Sequence, residues 1–267
     1  MGADIKSLRT RIKSVDSTLH LTKAMGLVAS SKIRRATEAM LKSRDYANSL
    51  GGLINQLIDC PDCKKSPYMI KRDTGRTRII VVAGDRGLAG GYNANIFRFC
   101  RDYENAEFIP VGKRACERFG KPHNSAEMFS SADAVKLAEK LCADYVNAEY
   151  DRLGIICTKY VSIMSQEPQI HWIFPLEKDE NSVSASVVFE PDEETILNTA
   201  VKEYVSGRIV AAVRESFASE VAARRCAMDS AGKNAQQMID DLQLEYNRAR
   251  QGAITQELTE IVAGSGT

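Results

Sequence analysis

The sequence predicts an α/β fold with long helices, in which the two ends of the chain form an antiparallel two-helix coiled coil and an α/β domain is inserted between them. Three observations carry this prediction. Residues 1–57 place an apolar or small residue at nearly every step of a 3,4 spacing, residues 76–190 alternate between strand and helix patterns, and residues 193–262 are helical in pattern and free of proline. The predicted divisions are an amino-terminal helix at 1–58, the α/β domain at 76–190 and a carboxy-terminal helix at 193–263.

The amino-terminal segment has the pattern of a coiled-coil helix. Its stripe holds for about seven heptads, more than the three or four that indicate a coiled coil. No proline precedes Pro61, so we expect the helix to end near Gly51 or at the latest by Cys60. Such a helix would be roughly 85 Å long and could not bury its stripe within one small domain. The stripe consists of Ile5, Leu8, Ile12, Val15, Leu19, Thr22, Gly26, Ala29, Ile33, Ala36, Met40, Ser43, Ala47, Leu50, Ile54 and Leu57.

The middle of the chain has the pattern of a Rossmann-like α/β domain. β-branched runs alternate with amphipathic helical stretches, which favours a mostly parallel sheet. The predicted strands are 77–83, 107–111, 153–164, 170–174 and 183–189, and the predicted helices are 93–103 and 132–150.

The carboxy-terminal segment predicts the partner of the first helix. Its helical face is rich in alanine, and small residues let two helix axes approach closely. Thr22, Gly26 and Ala29 offer the same possibility on the first helix. The face consists of Ala227, Ala231, Ala235, Met238, Leu242, Ala249 and Ala253.

Composition and charge indicate which kinds of partner and which cellular compartment suit this chain. The net charge of +1 predicts no general attraction to nucleic acid, and no apolar run is long enough to cross a membrane. The polar amino terminus predicts no secretory signal, and seven cysteines without a framework pattern predict free thiols in a reducing compartment. Residues 1–50 hold ten Lys or Arg against four Asp or Glu, an excess of +6 that fits an acidic partner or a solvated face.

The glycine-rich segment 84–91 lies where a phosphate-binding loop would lie, between a predicted strand and a predicted helix. Its spacing is neither that of the dinucleotide fingerprint nor that of the Walker loop. A structural turn is therefore favoured over nucleotide binding, with Asp85 and Arg86 expected to pair locally.

The remaining candidate chemistry is sparse. Cys60 and Cys63 have the spacing of a redox pair or of half a zinc site, but no second pair of this kind exists, so two ordinary thiols are favoured. His20, His123 and His171 are scattered, and no motif for acid–base catalysis is present. We predict no catalytic residue, no cofactor and no bound metal.

Polar side chains near the carboxy terminus point in several directions around the predicted helix. Guanidinium and amide groups distributed in this way suit hydrogen bonding to a surrounding partner, with an exposed polar face as the alternative. They are Arg248, Arg250, Gln251, Thr255, Gln256 and Glu257.

Several of these segments together resemble a known family. Residues 12–15, 21–25 and 28–36 are similar to the amino-terminal signature of the γ subunit of F-type ATP synthase. Residues 85–91 are similar to its central motif, and residues 220–229 and 241–262 to its carboxy-terminal signature.

The resemblance implies a non-catalytic rotor shaft. In this family the coiled coil lies inside a ring of three α and three β subunits, and the α/β domain contacts the ε subunit and stands on the membrane c-ring. Ion flow turns the c-ring, and the shaft drives the nucleotide sites of the β subunits through their conformations.

The resemblance also implies contact residues and a location. Arg250, Gln251, Thr255 and Glu257 would contact the β subunit. Met25 and Arg224 would lie in the region that couples rotation to catalysis, and Phe189 and Glu190 would meet the c-ring. The chain would be peripheral to the cytoplasmic face of a bacterial inner membrane. The alternatives are a stand-alone α/β nucleotide-binding enzyme with helical arms, and a helical-hairpin scaffold or chaperone.

Overall fold

The computed structural model describes residues 2–72, 74–120, 125–178 and 189–265. Two long helices lie at the ends of the chain, α1 (Gly2–Asp59) and α5 (Glu193–Ser265). Their bounds agree with those of the two predicted helices. α1 ends just before Pro61, because the ring of proline and its missing N–H stop a helix.

Between them lie the elements of a small α/β domain. The strands are β1 (Thr77–Val82), β2 (Glu107–Val111), β3 (Arg152–Tyr160) and β4 (Gln166–Phe174). The helices are α2 (Tyr92–Phe99), α3 (Lys113–Phe119) and α4 (Ser131–Val146). Short 3₁₀ turns occupy Pro61–Lys65, Pro67–Met69 and Cys100–Tyr103.

The sheet has the order β2-β1-β3-β4. β1 is parallel to both β2 and β3, as predicted, whereas β4 is antiparallel to β3. The predicted strand at 153–164 was too long, because β3 ends at Tyr160 and a tight turn leads into β4. Such a short connection permits only an antiparallel pair. The strand predicted at 183–189 lies, except for Phe189, outside the described residues.

By its internal contacts the chain divides into two compact units. The first, the coiled-coil unit, combines Met1–Ser30 with Arg224–Thr267, and the second, the central unit, is Ser31–Ala223. The domain division predicted from the sequence, at 1–58, 76–190 and 193–263, follows the helices and the α/β segment instead of these contacts. As a division into functional domains it stays a prediction.

Within the central unit, successive side chains of β1 point to opposite faces of the sheet, and both faces are covered by hydrophobic clusters. Ile79 and Val81 face a cluster with α2 and α3. Ile80 and Val82 face the larger cluster, which includes Leu57 and residues of α4 and α5. The sheet is therefore a buried middle layer that contacts both long helices.

Candidate partner-contact surfaces

The two long helices pack closely and antiparallel within the coiled-coil unit. Leu19 clusters with Ala235 and Ile239. A Cβ on Gly26 would lie 3.6 Å from the Cβ of Met228, in ordinary van der Waals contact. Small residues at this seam therefore permit close packing, as the sequence predicted.

The two helices keep a constant antiparallel register within this unit. Thr22 lies beside Gly232 and Gly26 beside Met228, so each step forward on α1 is a step back on α5. Continued at the same register, the start of α1 lies level with about residue 252 of α5. Ala249 and Ala253 are still half-buried, in agreement with this register.

Beyond this point α5 has no buried or half-buried residue as far as residue 264: every described residue from 254 to 264 is exposed. Four large apolar residues of this segment recur at the spacing of one helical face. They are Ile254 (48% exposed), Leu258 (58%), Ile261 (64%) and Val262 (70%). We call this segment, residues 254–264, the terminal extension.

The four predicted β-subunit contacts lie at and just before this extension. Arg250, Gln251, Thr255 and Glu257 are all exposed. The hydroxyl of Thr255 donates to the carbonyl of Gln251 at 2.9 Å, which satisfies it within the helix. The other three side chains present amide, guanidinium and carboxylate groups to the surroundings, so the surface suits hydrogen bonding to another protein.

The predicted coupling residues also lie on the coiled-coil unit. Met25 is half-buried and shares a helical stripe with Leu21 and Val28, which are 60% and 55% exposed. Arg224 is half-buried on α5. Large apolar side chains at this exposure are common where a surface meets a partner.

The predicted c-ring contacts belong to the central unit. Phe189 is half-buried against the larger hydrophobic cluster, and Glu190 beside it is exposed. Phe189 thus contributes to packing, while Glu190 is available to a partner.

Three α5 side chains, which we call the clamp, bind the backbone of β3. Ser216 accepts a hydrogen bond from the N–H of Thr158 at 3.0 Å, and Ser219 donates to the carbonyl of Thr158 at 3.1 Å. The carboxylate of Glu215 accepts from the N–H of Tyr160 at 3.1 Å. β1 pairs with β3 only as far as Ile156, while β4 stays paired with β3 up to Tyr160, so the clamp binds β3 beyond the end of its pairing with β1.

The sequence pattern does not predict the clamp. Its signal is two serines three residues apart, Ser216 and Ser219, in a helical stretch whose neighbours are buried. Such residues are also common on solvated helix faces, and only the fold shows which strand they meet.

The glycine-rich segment is a structural turn, as predicted. A Cβ on Gly84 would lie 2.7 Å from the carboxyl carbon of Glu220, so a larger residue would force this buried side chain to move. The expected pairing of Asp85 with Arg86 was wrong. Asp85 accepts from the hydroxyl of Ser125 at 2.5 Å, and from the N–H groups of residues 113, 126 and 127. Arg86 instead lies 3.5 Å from a carboxylate oxygen of Glu127.

These hydrogen bonds set the ionisation of Asp85. Burial alone would raise its pKa, but the hydrogen bonds from Ser125 and the three amides lower the pKa below its ordinary value. Asp85 is therefore a charged anchor that holds the loop before α4 against the start of α3.

Of the two spaced cysteines, Cys63 is buried and Cys60 is half-buried. Burial raises the pKa of Cys60, and burial raises that of Cys63 to about 11. A raised pKa is the opposite of what an activated redox thiol needs.

No metal or membrane-spanning element is found in the part of the chain that the structure describes. No three His, Cys, Asp or Glu side chains there could jointly hold a metal ion, and His123 lies outside it. None of the described helices has an apolar stretch sufficient to span a bilayer.

Comparison with known proteins identifies the family. The model of the family described as ATP synthase matches residues 4–267. This chain belongs to the ATP synthase family. The resemblance drawn from the terminal signatures is thereby confirmed, and so is the predicted fold class.

Three solved structures share the fold. A chain of the rotor of the Euglena gracilis mitochondrial ATP synthase is 17% identical, with a TM-score of 0.65 over 95% of this chain and 100% of that one. A chain in a second Euglena gracilis structure, of OSCP, F1 and c-ring, is 20% identical, with a TM-score of 0.67 over 98% and 94%. A chain of the central stalk and c-ring of the Tetrahymena thermophila mitochondrial enzyme is 23% identical, with a TM-score of 0.63 over 79% and 99%.

Proposed function

We propose that this chain is the rotor-shaft (γ) subunit of an F-type ATP synthase, which couples ion-driven rotation of a c-ring to ATP synthesis at sites carried by α and β subunits. The observation that carries the proposal is the terminal extension. A helical segment that exposes four large apolar side chains at the spacing of one face is typical of a surface that meets another protein. The ring of α and β subunits is the partner that family membership supports.

The contact residues follow from the same proposal. Arg250, Gln251, Thr255 and Glu257 would form contacts with the β subunit that break and re-form as the shaft turns. Exposed polar side chains suit this role because their hydrogen bonds exchange with water at little net cost. Met25 and Arg224 would transmit the position of the shaft to the catalytic ring.

The central unit would receive the torque. Glu190 and Phe189 would meet the c-ring, and the ε subunit would bind the α/β domain. The clamp of Glu215, Ser216 and Ser219 would carry the load, because it joins α5 directly to the strand backbone. Hydrogen bonds have preferred directions, so they resist sliding of the helix along the sheet.

The subunit would be non-catalytic and peripheral to a membrane. Its own titratable groups serve packing and anchoring, and the nucleotide sites would belong to the partner subunits. The sequence-based location, the cytoplasmic face of a bacterial inner membrane, stays a prediction, and the three similar chains come from mitochondrial complexes. Fractionation of the source cells would test it: the subunit should pellet with membranes and be released at low ionic strength.

The experiment that tests the proposal uses the assembled complex. Replacing Ile254, Leu258 and Ile261 by glutamine should reduce ATP synthesised per ion transported, because the apolar face of the shaft is lost. The matched control replaces two exposed residues of the extension that are not among the predicted contacts, Thr259 and Glu260, by alanine; the Thr259 hydroxyl donates to the carbonyl of Thr255 within the helix, at 2.7 Å. The control should retain most of the coupling.

Two results would contradict the proposal. The first is failure of the full-length chain to copurify with nucleotide-hydrolysing α and β subunits. The second is an unchanged synthesis yield in the glutamine variant. Turnover of ATP by this chain alone would favour the stand-alone enzyme, and stoichiometric copurification with an unrelated complex would favour the scaffold.

A further inference from the structure

A polar cavity of about 250 Å³ lies inside the central unit, where α1, β3, β4 and α5 meet. It is separate from the terminal extension and from the predicted contact residues. Its polar lining consists of the cationic side chains of Arg44, Lys159 and Arg208, the amides of Asn48 and Gln169, the imidazole of His171 and the carboxylate of Glu215.

The charges around this cavity do not balance. The carboxylate of Glu215 lies 2.8 Å from a guanidinium nitrogen of Arg44, so these two charges offset each other. Lys159 and Arg208 form no ion pair with any residue that the structure describes. Glu215 is the one carboxylate among the described lining residues, so the lining itself has an excess of two positive charges, with Glu167 opposite Lys159 in the β3–β4 pair.

Arg208 provides an unsatisfied donor at this place. Its Nε is buried and has no hydrogen-bond partner among the described residues, and its guanidinium carbon lies 5.6 Å from the centre of the Tyr204 ring. A buried donor without an acceptor is costly, and native proteins usually satisfy it. An anion in the cavity would supply the missing acceptor.

His171 is placed to respond to such an anion. Its Nε2 lies 2.8 Å from the side-chain nitrogen of Gln169. Burial lowers the pKa of His171, and the charges of Arg208 and Lys159 lower it further, against an opposing effect of Glu215. The ring therefore lies in a positive potential, which an anion would reduce.

A second cavity, of about 410 Å³, opens beside the first. The two share Ala47, Asn48 and Arg208 as lining residues, so Arg208 lies between them. The lining of the second cavity combines amide and aromatic groups, among them Asn55 and Trp172, with the charged side chains of Glu177 and Lys178. The amide and aromatic groups suit the uncharged part of a small organic molecule.

We propose that the first cavity is a binding site for a phosphate group, with Arg208 and Lys159 as its principal donors. A guanidinium and an ammonium group match the charge and the acceptor oxygens of phosphate. The phosphate comes either from inorganic phosphate or from a phosphorylated small molecule whose remainder occupies the second cavity. The site does not depend on the rotor function.

The test titrates the full-length chain with inorganic phosphate and, separately, with ADP, at constant ionic strength. Binding is followed by calorimetry and by the NMR-detected pKa of His171. Saturable binding should raise this pKa, while the NMR chemical shifts of the exposed His20, which lies 3.8 Å from Asp16, serve as the control and should not change on addition of either probe. Tighter binding of ADP would identify a phosphorylated organic ligand, and equal binding would identify the phosphate alone.

Variants separate the site from a general charge effect. R208Q and K159Q should each weaken binding about tenfold, the loss expected for one charge-assisted hydrogen bond. R214Q removes the same charge from α5 at a half-buried position outside the lining, and should bind as the wild type does. Because Lys159 is exposed, K159Q tests the site even if R208Q fails to fold.

Three results would overturn the proposal. The first is that neither inorganic phosphate nor ADP binds saturably. The second is that the pKa of His171 stays constant at a saturating concentration of either probe. The third is that R214Q weakens binding as much as R208Q and K159Q do.

Discussion

The clamp between α5 and β3 should contribute measurably to the stability of the central unit. Ser216, Ser219 and Thr158 are all at most 2% exposed. Ser216→Ala removes the acceptor of the Thr158 N–H, and a buried unsatisfied donor costs about 1–3 kcal/mol. Ser219→Ala removes one donor to the Thr158 carbonyl, for which we expect about 1 kcal/mol.

The double variant gives the sharper result. Both hydrogen bonds end on the same residue, Thr158, so their effects should be coupled and not simply additive. We expect a combined loss of about 2–4 kcal/mol in the free energy of unfolding. In the assembled complex, the double variant should let α5 shift relative to β3 when the shaft transmits torque. The yield of ATP per ion transported should therefore fall more than the rate of ATP hydrolysis measured without an opposing ion gradient.

The assay is urea unfolding of the purified chain, with the two single variants and the double variant arranged as a double-mutant cycle. Ser49→Ala is the matched control. Ser49 is an exposed helical serine whose hydroxyl donates only to the carbonyl of Asp45 in its own helix, at 3.0 Å. It should change stability by less than about 0.5 kcal/mol. The reasoning is refuted if the clamp variants unfold at the same urea concentration as this control.

Three further predictions concern single positions. Gly84→Ala should destabilise the chain by about 1–3 kcal/mol, because its new Cβ would meet the side chain of Glu220. Gly52→Ala has open space around it in α1 and should stabilise the chain by up to about 1 kcal/mol. Thermal unfolding should separate the two variants, and equal melting temperatures would contradict this prediction. Asp85→Asn should cost about 2 kcal/mol at neutral pH. Because the pKa of folded Asp85 is lowered, the wild type should lose this stability as the pH falls through that pKa, and the variant should lack this part of the pH dependence; parallel pH–stability curves would show the anchor to be unimportant. Met25→Lys places a charge at a half-buried position between the exposed apolar side chains of Leu21 and Val28, and should loosen coupling in the complex; an unchanged ATP yield per ion would exclude Met25 from that role.

Features with long or regular patterns were predictable from the sequence. The stripe of α1 repeats over many turns, so a few exceptions do not obscure it. β1 and β2 were predicted almost to the residue because each is a short apolar run that ends at a glycine or a loop. The terminal signatures are long and specific, so they indicate the family by themselves.

Short and irregular features were not predictable to the same degree. α3 has seven residues between Gly112 and Gly120, and too few turns to show a period. Its ends depend on glycines with φ values of +97° and +70°, a backbone state that the apolar pattern does not show. The antiparallel direction of β4 depends on how tightly the chain turns after Tyr160.

The sequence by itself determined the two long helices, the inserted α/β domain and the family, because periodicity and motifs are local properties that survive without tertiary contacts. Tertiary structure alone decided which polar groups meet. Asp85 reaches Ser125 across 40 positions of the chain, and Ser216 reaches Thr158 across 58. A serine or an aspartate has the same local pattern whether it faces solvent or a strand. The energy that gives it a role arises only when burial removes water and leaves one partner.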